Sequence, residues 1–165
     1  MDAQVIVNHI QQMLDFCDKL DNYYSQGAGV RFITKGSHTA RDVYKLELGQ
    51  FLLHVGNANG TLGAAEVALL NVVFAAKYTA EQYQQLYSKV GAPSPEKSMS
   101  LMGSVSVDRV QSKHKGARST DASNIMLESF DLMSKIMLMF DNNPTAAALR
   151  EQYVADMKAY VASQL

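Results

Sequence analysis

Four histidines, one cysteine, a basic cluster and one Asn/Gly-rich stretch are where this chain could do chemistry. The histidines stand at 9, 38, 54 and 114 and form neither an HExxH pattern nor an i,i+4 pair, the spacing by which a helix offers two imidazoles to zinc. His54 falls near the apolar face of its segment, which suits a half-buried structural side chain. A single cysteine, Cys17, excludes an intrachain disulfide and a CxxC metal site, and its place on an apolar stripe reads as a small buried hydrophobe. Gly27-x-Gly29 lacks the third glycine of a dinucleotide loop, and neither a Walker A motif nor a nucleophile elbow occurs. No cofactor motif is legible, and with no activated nucleophile or acid/base pair in view the chain is expected to be no enzyme. Lys113, His114, Lys115 and Arg118 form the basic cluster. It reads as a solvated loop or, more sharply, as a contact for an acidic partner or a phosphate; no aromatic residues interleave to suggest nucleic acid. The stretch NANGTLGAAEVALL, Asn57 to Leu70, stops an apolar helix and restarts one with a glutamate in its first turn. It could be a metal-binding loop or a helix–turn–helix corner.

The elements that position these residues are helical. At 165 residues, 47% hydrophobic and 19% charged, the chain fits one globular domain. Fifteen basic against sixteen acidic residues leave a net charge of −1, no electrostatic case for nucleic acid or an anionic membrane. The first residues lack a secretory pattern, and the longest apolar run, Val67 to Ala76, is interrupted by Asn71 and short of the ~20 residues of a membrane span. A cytoplasmic protein with a protein partner is the expectation.

Ile6, Ile10, Met13, Cys17, Leu20 and Tyr24 make one stripe on a first helix, which Gly27 and Gly29 should end. Val30 to Thr34 is extended chain or a short strand. A second helix should start at Thr39 with Asp42 in its first turn and bury Leu48, Phe51, Val55 and Ala58. A third is expected from Ala64 to Lys77, and a fourth from the Thr79-x-x-Gln82 capping box. Ser94-Pro95 predicts a short helix over 95–103, and the polar, aperiodic Gln111–Thr120 a long mobile loop. Met126, Phe130, Met133, Met137 and Phe140 form the strongest stripe, with the methionines core residues rather than an adaptable groove. After Asn142-Asn143-Pro144, a last helix from Thr145 to Ser163 should carry Leu149, Tyr153, Met157 and Tyr160 on one side. The sum is a single all-α bundle of about six helices.

Shifting the second helix by 82 positions lays Leu48, Phe51, Val55 and Ala58 on Phe130, Met133, Met137 and Phe140, which suggests an internal repeat of two helix–loop–helix units. At this point FLLHVGNANGTLGAAEVALL resembles the TerB-like tellurite-resistance proteins, whose repeat runs apolar helix, Asp-Gly, apolar residue, Ser-x-x-Glu, apolar helix. Asn59 takes the Asp position, Gly60 the Gly, Leu62 the apolar residue, Gly63 the Ser and Glu66 the Glu. MLMFDNNPTAAALREQYV resembles the second such loop, with Asp141 at the Asp position and Ala148 where Glu is expected. The likeness covers roughly 45–90 and 125–160. It implies an all-helical fold, an association with stress response, and acidic residues from two loops that could hold a cation, here Glu66 and Asp141 with Asn59. The first loop departs by losing its Asp and the second its Glu. Two carboxylates and a few amides make a poor cage for calcium, which takes six to eight oxygens. The corner reading needs only that Gly60 permit the turn, Leu62 enter the core, Gly63 cap and Glu66 sit at the third helical position. The expected function is a non-enzymatic interaction or stress-response module. The alternative is a metal- or small-ligand-binding protein using the two inter-helix loops.

Overall fold

In the computed structural model, residues 3–25, 39–140 and 143–165 are described. Among them the apolar stripes become seven α-helices and no strand: α1 (Ala3–Ser25), α2 (Ala40–Gly56), α3 (Ala64–Phe74), α4 (Ala80–Val90), α5 (Met99–Lys115), α6 (Asp121–Phe140) and α7 (Pro144–Gln164). Single 3-10 turns at Asn57–Asn59 and Pro95–Lys97 precede α3 and α5. The expectations for Gly27, Gly29, Val30–Thr34 and His38 lie outside the described residues, as does the Tyr24 side chain.

Helix α2 is the axis of the bundle and packs against all six others. It buries Tyr44, Leu48, Phe51, Leu52, Leu53 and Val55, more than one face, as a helix surrounded by protein must. Phe51 joins Phe130 of α6 and Tyr153 of α7, with ring centroids 6.1 and 4.4 Å away. On α1, Ile6, Ile10, Met13, Cys17 and Leu20 all face this core. On α6, Met126, Phe130, Met133 and Met137 do the same, whereas Phe140 departs from the expected stripe and is 40% exposed. On α7, Tyr153 and Met157 are buried while Leu149 and Tyr160 are only half-buried. The burial of Leu48, Phe51 and Val55 therefore parallels that of Phe130, Met133 and Met137. Any two core-facing helices show this much, and α3 and α7, at 11 and 21 residues, are not matched units.

Three expected boundaries move, each for a local reason. Helix α3 stops at Phe74 rather than Lys77, because Ala75 turns left-handed (φ 52°) and the Asn71 side chain holds Tyr78 by both its backbone groups. The helix expected over 95–103 is a single 3-10 turn followed by all of α5. The loop expected over 111–120 is helical through Lys115 and ends at Gly116, whose φ of 64° suits glycine. The missed helix hides its periodicity in small polar residues. Its buried face carries Ser100, Leu101, Ser104, Val105 and Asp108, and Ser104 and Ser112 donate to carbonyls one turn back.

Carboxylates reaching across from neighbouring helices fix how the helices start. Glu47 of α2 accepts from the Met99 amide (2.7 Å), the Ser100 amide (3.1 Å) and the Ser98 hydroxyl, while Ser98 Oγ takes the Leu101 amide. Asp108 of α5 accepts from the Ala122 and Ser123 amides (3.0 and 2.8 Å) and from the hydroxyls of Ser119 and Ser123. Asp21 of α1 accepts from the Ala40 amide at the start of α2 (3.0 Å), beside the expected Thr39–Asp42 box. These amides have no partner within their own helix, and each carboxylate also meets the positive end of a helix dipole. Asp131 of α6 then pairs with Arg150 of α7, itself only 6% exposed.

The two acids near the start of α6 separate the contribution of burial from that of charge. Asp108→Ala leaves buried donors unpaired and is expected to cost about 3 kcal/mol or more. Asp121→Ala, at an exposed first-turn position, should cost about 0.3–1 kcal/mol. Urea unfolding of both variants checks this, and equal losses would contradict it.

Candidate interaction site

The basic cluster sits on a fixed corner. Lys113, His114 and Lys115 form the last turn of α5, where cations suit the helix dipole, and Arg118 lies in the short connection to α6. That connection is tied at both sides: the Ser119 amide donates to Ser112 Oγ (2.8 Å) and Ser119 Oγ to Asp108 (3.4 Å). Residues 113 to 118 are all exposed. Lys113, Lys115 and Arg118 make no ion pair among the described residues.

The three cations share a corner, but Arg118 and Lys115 address different ground. Arg118 lines a cavity of about 360 Å³ between α6 and α7 with Leu127, Val161 and Leu165, where the two cations Arg118 and Lys158 are matched by two acids, Glu128 and Asp131. Lys115 instead lines a cavity of about 240 Å³ among α1, α5 and α6, alongside Phe16 and Lys19. Lys158 escapes a sequence reading centred on clustered charge. Its signal was the spacing of Lys158, Val161, Ala162 and Leu165, one face of α7 at helical period. Always-charged arginine and solvated lysines suit attraction of carboxylate or phosphate rather than proton transfer.

Asn57 to Leu70 forms the corner that its residues describe. Gly60 takes φ 85° and donates its amide to the Asn57 carbonyl at 2.9 Å. Gly63 precedes α3, and its amide donates to Glu66 Oε1 at 3.3 Å. Glu66 is buried beneath Gly56, where an added Cβ would come within 2.7 Å of Leu62 and 2.9 Å of the Glu66 carboxylate. Seven residues earlier Gly49 admits the Phe74 ring, whose nearest atom would lie 1.8 Å from such a Cβ. Two glycines on one face of α2 thus let α3 lie close. Of the expected cation set, only the Glu66 carboxylate is placed, and it is turned to its own helix start. Asp141 and the Asn59 side chain lie outside the described residues. Among the described residues, no three His, Cys, Asp or Glu side chains gather as a metal would require.

The remaining reactive groups are tied into the scaffold. His54 Nδ1 bonds the Tyr87 hydroxyl at 2.8 Å, the half-buried structural role expected of it. Cys17 is fully buried, and burial, with Asp21 and Asp18 nearby, pushes its thiol up to about 12. His9 Nε2 and Ser129 Oγ are 2.9 Å apart, and Ser129 Oγ meets the Tyr44 hydroxyl at 2.6 Å. Ser129 lies inside α6, between His9 of α1 and Tyr44 of α2. Its geometry serves to join α1, α2 and α6. Comparison with protein-family models, with curated proteins and with solved structures finds no match.

Burial lowers the pKa of both His9 and His54 from 6.5. The unfolded chain therefore binds these protons more readily, so the stability they contribute is present above the unfolded value and lost as pH falls from about 6.5 toward the folded values. Thermal midpoints at about pH 7.5 and 5.5 measure the loss. His9→Gln/His54→Asn keeps a nitrogen donor near each bond and should show a smaller fall on acidification. An equal fall would contradict the assignment.

Proposed function

We propose that this chain is a non-enzymatic helical interaction module, TerB-like in type, that engages an acidic segment of a protein partner. The carrying observation is the exposed corner of Lys113, Lys115 and Arg118, three cations without ion-pair partners among the described residues and anchored from beneath by buried Asp108. A corner held in place loses little entropy when it is bound, which favours recognition over diffuse charge attraction. Leu127, Val161 and Leu165 beside Arg118 give a partner's apolar side chain a resting surface, while its carboxylates meet the exposed cations of the corner. The buried acids and histidines support the same reading, because each has a partner that positions a helix. The association with stress response rests on the resemblance of residues 45–90 to the tellurite-resistance proteins. No helix among the described residues is long and apolar enough to cross a membrane.

A fluorescently labelled peptide of alternating glutamate and leucine serves as the probe, read by anisotropy. Three exposed ion pairs of about 0.2–1 kcal/mol each predict that Lys113→Glu/Lys115→Glu/Arg118→Glu weakens binding roughly tenfold. Lys77→Glu/Lys89→Glu/Lys97→Glu changes the net charge equally at other exposed positions and should change little. Equal weakening by the two triples would reduce the effect to net charge and overturn the corner as a site.

A further inference from the structure

Helix α6 has two apolar faces, and the core accounts for one. Met126, Phe130, Met133 and Met137 point inward, whereas Ile125, Leu132 and Met139 are 41%, 39% and 63% exposed. The outer three recur at steps of seven, so they lie in one line about 21 Å long at 1.5 Å per residue. These three apolar side chains, with Glu128 and Lys135 between them, give the outside of α6 a face on which another helix can pack. It borders a groove of about 590 Å³ between α1 and α6, where Phe16 extends the apolar surface beside Ile125 and Leu132.

We propose that the occupant is a second copy of this chain, bound through α6 against α6 in antiparallel sense about a two-fold axis at Leu132. Glu128 and Lys135 occupy the positions between the three apolar residues and carry opposite charge. In a parallel pairing each would face its own copy, a like-charge contact at two levels. The antiparallel pairing sets residue 132+n against 132−n. Leu132 then meets Leu132, Ile125 meets Met139, and Glu128 falls beside Lys135 of the other copy. A closed two-fold interface requires this self-complementarity, because one patch must serve both sides. Lys135 is 60% exposed and already bonds Asp131 at 3.0 Å, but Asp131 keeps Arg150, so the lysine can serve the second copy. One helix pair with its α1 flanks falls at the small end of specific interfaces, roughly 1,200 Å², so the dimer is expected to be weak and concentration-dependent.

Sedimentation equilibrium of the full chain across roughly 1–200 μM tests this, with thermal melting to show that each variant folds. The mass should rise with concentration from 18.2 kDa toward its double. Leu132→Asp, at a surface position, should hold the chain monomeric and keep the melting midpoint that the unaltered chain shows at its lowest concentration, where it is monomeric too. Glu128→Lys and Lys135→Glu should each weaken the dimer at least tenfold, and Glu128→Lys/Lys135→Glu together should restore it. A monomer throughout the range overturns the proposal, as does a dimer that survives Leu132→Asp. Failure of the double exchange to restore a dimer lost in both single variants overturns the antiparallel pairing.

Discussion

Glu47 and Asp108 each bury a carboxylate at the first turn of a helix to which it does not belong, and the order of the bundle follows from those contacts. A buried charge is costly unless hydrogen bonds replace its lost hydration. Asp108 collects two amides and two hydroxyls at the start of α6. Glu47 collects two amides and one hydroxyl at the start of α5, and its burial still outweighs those bonds, so its pKa is raised. Such bonds are directional, which apolar packing is not. They place α5 on α2 and α6 on α5, Asp21 places α2 on α1, and Asp131 with Arg150 places α7 on α6. Helices α3 and α4 start from local caps instead; α3 is seated by shape through the glycines of α2, and α4 is tied to α2 by the His54–Tyr87 bond and by Gln50 at its C-terminal end.

This relay explains why the basic corner is a feature of the fold. Asp108 and Ser112 secure the end of α5 and the start of α6 together, so the connection between them has little freedom to lose. The lysines of the last turn and Arg118 are carried on that fixed edge. Arg118 also lines the adjoining cavity, together with Lys158. The outer line of α6 runs along a helix fixed at its first turn by Asp108 and near its middle by the Asp131–Arg150 pair.

Much of the architecture was legible because it is written locally. The boxes at Thr39–Asp42 and Thr79–Gln82, the Asn143-Pro144 start and the inward stripes of α1 and α6 depend on residues within a few positions of one another. The Asn57–Leu70 stretch also behaves as its residue types require, with Gly60 left-handed and Glu66 at the helix start. What sequence could not reveal is set by distance along the chain. Glu47 and the Met99 amide are 52 residues apart, and nothing near either announces the other. Helix α5 was misread for a different reason: serines that bond their own helix, and an aspartate with partners elsewhere, look polar and aperiodic on paper. The candidate corner was legible as charge, but its support and Lys158 depended on how α5, α6 and α7 meet.

Native-state hydrogen exchange at the first turns of α5 and α6 tests the relay most directly. First-turn amides of a helix ordinarily exchange fast, having no partner within it. The amides of Met99, Ser100, Ala122 and Ser123 should instead be protected nearly as well as the interior of their helices. In Glu47→Gln the protection should fall at Met99 and Ser100 and persist at Ala122 and Ser123. Rapid exchange of all four amides in the unaltered chain, as at a frayed helix end, would contradict the account.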